Sequence, residues 1–162
     1  MKKIFILLCL TTLVIIASVK TSESNEKQFD CLVEAIYFEA RSESFLGQLA
    51  VANVVLNRVS HNNFPNKICS VVHQGYYINN KPIRNKCMFS YWCDGKPEKI
   101  KNMEAYIIAE NVALLALEKV VIQRTLGATH YHANYVSPSW SKHKNFKRLA
   151  QLGKHIFYIE KN

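Results

Sequence analysis

The chain has 162 residues, enough for one compact domain and too few for two comfortable ones. Apolar residues make up 49% and charged residues 20%, which excludes a disordered chain; five Gly and four Pro exclude collagen-like and low-complexity classes. Twenty-one Lys and Arg against 12 Asp and Glu leave a net charge of +9, which directs the surface towards anionic polymers or membranes.

Lys2 and Lys3 precede an apolar run from Ile4 to Val19, broken only by Thr11, Thr12 and Ser18. A charged start followed by an apolar stretch is the pattern of an export signal. The run is shorter than the roughly 20 residues a membrane span needs. Ala17 and Ser18 are small enough for cleavage but form no A-x-A site, so a retained N-terminal membrane anchor is the alternative. Residues 1–19 are therefore expected to be a signal peptide or anchor, 20–28 a polar linker, and 29–162 the globular domain. Without Lys2 and Lys3 the basic residues fall from 21 to 19 against 12 acids, about +7.

Export also changes the cysteine count. Of five Cys, the four beyond the signal are Cys31, Cys69, Cys87 and Cys93. An even number in an oxidising compartment predicts two disulfides. Three pairings are open, one of them Cys31–Cys69 with Cys87–Cys93. A four-cysteine zinc site is the weaker alternative, because no C-x₂-C spacing occurs. Nucleic acid is a poor partner for an exported chain, and no basic-aromatic nucleic-acid motif is present.

From Asp30, a candidate N-cap, Leu32, Ala35, Ile36 and Glu39 recur at the spacing of one helix face. Ser42 to Ser44 predict a break, and Ser44 caps a second helix from Phe45 to about Ser60. That helix is apolar nearly all round, so it is expected at the centre; its polar exceptions are Gln48, Asn53, Asn57 and Arg58. Residues 61–100 carry Pro65, Pro82, Pro97, Gly75 and Gly95 and read as loop, with a short helix near Ile68 to Gln74. An Ala-rich helix follows over about Lys101 to Val121. Thr129 to Tyr135 and Ile156 to Ile159 alternate as short strands able to pair as an antiparallel ribbon. The fold class expected is α+β, mainly helical, in one domain with a small antiparallel sheet.

Glu39 is the residue that carries chemistry. The apolar stripe places its carboxyl group on the buried side of the first helix, where lost hydration raises the pKa. A carboxyl group still protonated near neutrality can donate to a glycosidic oxygen. On the residues alone, the alternative is a structural role, pairing with a buried Arg or capping a helix. Glu43 lies four residues on and is the candidate second carboxylate if the helix continues; otherwise it caps a helix or pairs with Arg41 or Arg58. Asp94, in a turn, is a further acid.

The run Cys31-Leu-Val-Glu-Ala-Ile-Tyr-Phe-Glu-Ala-Arg-Ser-Glu, followed by Gly47-Gln-Leu-Ala-Val-Ala-Asn-Val-Val-Leu-Asn-Arg-Val, resembles the SleB/CwlJ-type cell-wall hydrolases, which include the spore cortex-lytic enzymes. Cys87-Met-Phe-Ser-Tyr-Trp-Cys-Asp-Gly, Gly127-Ala-Thr-His-Tyr-His, Pro138-Ser-Trp and Gly153-Lys-His-Ile-Phe-Tyr extend the resemblance over about 30–160. It implies a lysozyme-like catalytic domain that cuts peptidoglycan between N-acetylmuramic acid and N-acetylglucosamine, with Glu39 as the single essential acid. One glutamate suits lytic transglycosylation, in which the muramoyl 6-hydroxyl closes a 1,6-anhydro ring. Hydrolysis canonically needs a second carboxylate about 5–9.5 Å away, for which Glu43 is the candidate.

Matched to the family pattern, Thr129, Tyr131 and His132 are expected at the substrate cleft. Phe89 and Ser90, in the cysteine-closed loop, are further substrate-binding candidates, as is Gln74, with Asn57 and His155 in support; these last three bond substrate or Glu39, or else satisfy buried backbone. Tyr131 is expected on one side of its strand, His130 and His132 on the other. Exposed aromatics in the Cys87–Cys93 segment can stack on sugars, though a strand there would bury two of its four residues from Phe89 to Trp92. Trp140 reads as a core anchor. The expected partner is peptidoglycan, met as a monomer in the periplasm, envelope or exterior, with no cofactor and no metal. A separate peptidoglycan-binding repeat is absent from the sequence, and general peptidoglycan is a safer substrate than cortex with muramic lactam. Two rivals stand beside this reading. One is a zinc hydrolase built on His130 and His132 with His143 or His155. The other is a non-catalytic wall-binding module.

Overall fold

The computed structural model describes residues 24–161. The segment 1–19, expected to be signal or anchor, lies outside the described residues. Among the described residues no helix is long and apolar enough to cross a membrane.

Helix α1 occupies 24–40. The expected linker over 20–28 is corrected here: from residue 24 the chain is already helical, six residues before Asp30. Gln28 explains part of this, because its Oε1 accepts the Cys69 N–H at 3.1 Å and ties that turn to the body of the protein. Helix α2 runs over Phe45–Val59, and its Ser44 cap accepts the Gly47 N–H at 3.3 Å. Ten of its residues are buried, as its all-round apolar pattern predicts. The polar exceptions find partners: Asn53 donates to the Val120 carbonyl at 3.0 Å and accepts from Ile122 N–H at 3.1 Å. The short α3 spans Ile68–Val72, and α4 spans Met103–Leu117 with Asn102 as its cap.

The stretch read as loop holds a hairpin, β1 (Gly75–Ile78) and β2 (Lys81–Cys87). Asn79 and Asn80 both take positive φ, 50° and 61°, as a two-residue turn of type I′ requires. A short 3₁₀ helix over Ser90–Cys93 follows, in place of the strand weighed for that segment. The second sheet has three antiparallel strands in the order β3 (His130–Ala133), β5 (His155–Glu160), β4 (Phe146–Leu152). The predicted pairing of β3 with β5 is present, with Tyr131 opposite Phe157. Strand β4 was not anticipated from Phe146-Lys-Arg-Leu-Ala-Gln-Leu, whose charges mask the alternation.

The core has two lobes with α2 between them. One gathers Leu32, Ile36, Leu49, Val55, Val72, Val112 and their neighbours from the four helices. The other sets Ala50, Val51 and Val54 of α2 against Leu152 and Phe157 of the sheet. Tyr131 packs against both. Disulfides join Cys31 to Cys69 and Cys87 to Cys93, with Cα separations of 5.2 and 6.0 Å. The first ties α1 to α3, and the second closes the loop that delivers Ser90.

Candidate active site

Glu39 stands in the last turn of α1, where the two lobes of the core meet. Its helix neighbours Ala35, Ile36 and Ala40 are fully buried, and its own side chain is partly exposed. The negative end of the helix dipole disfavours a further negative charge at this position. Ser90 donates its hydroxyl to Oε1 at 3.3 Å, and Tyr131 donates to Oε2 at 3.2 Å. Burial raises the Glu39 pKa above the ordinary carboxylate value; the Tyr131 hydroxyl and polar groups at Tyr91 and Ser90 offset part of that rise. Burial and the adjacent Glu39 also hold the Tyr131 phenol well above its usual pKa, so it remains a donor. Burial thus favours the protonated form, and two hydroxyls stand ready to receive the charge once the proton leaves.

Arg58 lies beneath this pair; the sequence offers it as a polar exception of α2 and a possible partner of Glu43, and neither reading gives its place beside Tyr131. It is 5% exposed, donates Nε–H to the Thr129 carbonyl at 2.7 Å, and sits between the rings of Phe64 and Phe89, each 5.2 Å from its guanidinium carbon. Its Nη1 has no hydrogen-bond partner among the described residues. A charged residue inside an otherwise apolar helix was the available signal, since such a group persists in a core only with a structural or chemical task. Asn57 works beside it, donating to the Ala128 carbonyl at 2.8 Å. Together they fix the backbone that leads to Tyr131, and the Arg58 charge is close enough to interact with both Tyr131 and Glu39.

The remaining expected residues divide. Gln74 accepts Met88 N–H on its carbonyl at 2.8 Å, which anchors the start of the Ser90 turn, and its buried Oε1 has no partner among the described residues. Phe89, expected at the substrate, is 1% exposed and serves as one wall of the Arg58 slot, so it offers no open face to a sugar. Thr129 is also corrected to an interior role: 2% exposed, it shares its hydroxyl with His130 Nδ1 at 3.0 Å and with Glu160 N–H at 3.4 Å. His132 points away from Glu39 on the other face of β3, as its alternation with Tyr131 predicts. Its Nδ1 meets the Ala133 carbonyl at 2.9 Å and its Nε2 the Tyr158 hydroxyl at 3.1 Å, which leaves no ring nitrogen for substrate. Trp92 stacks on His73 at 3.5 Å and donates to Tyr77, and is occupied in holding the hairpin.

Glu43 does not continue α1. The helix ends at residue 40, and Glu43 Oε2 accepts the Lys154 N–H at 2.9 Å, capping the β4–β5 turn from 111 residues away in sequence. That turn needs Gly153 at φ 56°, and a side chain there would collide with the Glu43 carboxylate. His155 is buried beside it with Nδ1 unpartnered, and its ring meets Tyr131 edge-on at 5.0 Å. Burial lowers its pKa, partly countered by Glu43.

The zinc arrangement weighed above does not assemble. His130 is enclosed by Phe64, Trp140 and Phe146, and burial depresses its pKa to about 4. Among the described residues no three His, Cys, Asp or Glu side chains gather as a metal site.

Comparison with known proteins gives a consistent placement. The family model described as Cell Wall Hydrolase matches residues 42–158, beginning three residues after Glu39. The spore cortex-lytic enzyme of Halalkalibacterium halodurans is 27% identical over 138 residues, which covers 82% of this chain and 35% of that protein. The spore cortex-lytic enzyme of Bacillus cereus is 40% identical over 50 residues, 31% of this chain and 19% of the enzyme. The chain thus spans about a fifth to a third of the length of these relatives. The crystal structure of the catalytic domain of Bacillus cereus SleB aligns with a TM-score of 0.57 and 25% identity, over 82% of this chain and 90% of that one. The catalytic domain of the germination-specific lytic transglycosylase SleB from Bacillus anthracis gives 0.57 and 26%, over 81% and 93%.

Proposed function

Because this chain belongs to the cell wall hydrolase family, we propose that it cleaves the glycan strand of peptidoglycan between N-acetylmuramic acid and N-acetylglucosamine, as a lytic transglycosylase with Glu39 as its acid. The observation that carries this reading is one poorly hydrated carboxyl group with both oxygens met by neutral hydroxyl donors. Glu39, whose protonated form is favoured by burial, gives its proton to the glycosidic oxygen as the bond to the muramoyl C1 breaks. Ser90 and Tyr131 then stabilise the carboxylate. That carboxylate takes the proton of the muramoyl 6-hydroxyl as its oxygen attacks C1, which yields the 1,6-anhydro end and restores the acid.

Transglycosylation is preferred over hydrolysis because Glu43 is committed to the Lys154 amide at a β-turn. A basic chain with two disulfides supports work outside the cytoplasm, on the anionic cell wall. The test is mass spectrometry of purified sacculi after digestion. Anhydro-muramoyl ends are expected; reducing ends would mean hydrolysis, and released stem peptides without cut glycan would refute the glycosidic reading. Binding to sacculi with no fragments released would favour a wall-binding module instead.

A further inference from the structure

Beside Glu39 lies a cavity of about 460 Å³, within the size range of small-ligand sites. It is continuous with the candidate active site through Ser90, which lines the cavity and also hydrogen-bonds to Glu39. Tyr37, Phe38 and Tyr91 form its aromatic side, and Phe38 and Tyr91 stack there at 4.8 Å. The rest of the lining is charged and unbalanced, with Arg41, Lys96, Lys99 and Lys101 against Asp94 and Glu98. Lys96 pairs with Asp94 at 3.3 Å, the one salt bridge among the described residues. Glu98 makes no salt bridge among the described residues; it faces Glu34, whose pKa is raised by burial first and by the Glu98 charge second. Three cations therefore border the cavity with no carboxylate in contact. Arg41 rests its guanidinium over the Tyr37 ring at 5.0 Å, while Lys99 and Lys101 are exposed.

Neutral sugar rings give no reason for such a rim. Peptidoglycan carries its negative charge on the stem peptide, attached through the lactyl group to the muramic residue whose C1 bond is cut. We infer that this cavity is a subsite for the carboxylate-bearing stem peptide, with Arg41, Lys99 and Lys101 engaging its carboxylates and the aromatic side supporting its backbone. The assignment rests on the reading of the chain as a peptidoglycan-cleaving enzyme. It adds a preference for strands that still carry peptide over bare glycan. Charge-assisted contacts of this kind orient a ligand as well as hold it.

The test uses the full chain carrying Glu39→Gln, titrated calorimetrically with the N-acetylated tetrapeptide Ala-γ-Glu-Lys-Ala in its natural stereochemistry, the acetyl group standing in for the lactyl amide. Amidation of the peptide carboxylates, or the double change Lys99→Ala and Lys101→Ala, should each weaken binding by at least about fivefold. Circular dichroism of the double variant confirms that it is folded. With Glu39 restored, the wild type should digest intact sacculi faster than amidase-stripped glycan, and the double variant should lose that preference. No peptide binding, binding indifferent to either change, or binding of a glycerol-phosphate oligomer in its place would overturn the assignment. If the wild type cuts neither substrate, the enzymatic reading fails, and the titration still decides the cavity.

Discussion

Tyr131 donates its hydroxyl to Oε2 of Glu39 at 3.2 Å, joining the end of α1 to the edge strand β3 across 92 residues of sequence. Its hydrogen bond favours the carboxylate, while the burial around it favours the acid, so one contact tunes the proton affinity of the candidate catalytic group.

Glu39→Gln keeps the shape of the side chain and removes its proton. Release of muropeptides from sacculi should fall by at least about 100-fold, while binding to sacculi is retained. Stability should move the other way. The Glu39 pKa is raised in the fold, so the folded state holds more protons than the unfolded one over the interval above the ordinary carboxylate pKa of 4.5. Stability from this group therefore declines as pH rises through that interval, and the penalty persists at neutral pH. The Gln variant should melt at the same temperature as wild type or higher at pH 7, read by thermal unfolding.

Tyr131→Phe removes the donor that lowers the Glu39 pKa. The alkaline limb of the pH–rate profile, where the acid loses its proton, should move to higher pH, with turnover reduced about 10-fold as the carboxylate loses its partner. An unchanged limb would show that Tyr131 does not set the proton affinity.

Glu43→Gln can still accept the Lys154 amide through its side-chain oxygen. Turnover should change by less than about threefold, against the loss of about 100-fold or more expected of a required general base. Stability should fall by no more than about 1 kcal/mol in urea unfolding, the worth of one weakened hydrogen bond.

Replacing each disulfide with a serine pair should separate the two bridges by loop length. The chain-entropy relation gives about 4 kcal/mol for Cys31–Cys69, with a sequence separation of 38, and about 2 kcal/mol for Cys87–Cys93, with a separation of 6. The short bridge should cost more activity than stability, because it shapes the turn that presents Ser90. Urea unfolding and digestion of sacculi measure the two effects.

His130 is held neutral, with its pKa lowered to about 4 from 6.5 by burial. Between those values the unfolded chain binds the proton and the folded chain does not, so this contribution is complete above pH 6.5 and declines as pH falls to about 4. The stability difference between wild type and His130→Gln should shrink across that window, measured by denaturant titration at several pH values. Other groups titrate there too, and the difference isolates His130.

Local patterns in the chain determined much of this molecule. The stripe Leu32, Ala35, Ile36 placed Glu39 on the buried side, Ser44 marked the start of α2, and the all-round apolar character of that helix put it between the two lobes. Alternation in β3 separated Tyr131 from His130 and His132, and the four cysteines announced two bridges. What the sequence left open turns on contacts between distant segments. Nothing local says that Glu43 caps the turn at Gly153 and Lys154, that Phe89 and Phe64 enclose Arg58, or that Thr129 spends its hydroxyl inside. The Asn79–Asn80 hairpin lay inside a stretch read as loop, because β1 gains its partner only across that turn, and β4 hides its period behind Lys147 and Arg148. Side-chain spacing fixes which face of an element is apolar; it carries no information about which remote donor will meet a given carboxylate. That second choice is made when the lobes close around α2, and it decides which of the chain's polar groups share the Glu39 proton and which only hold the walls.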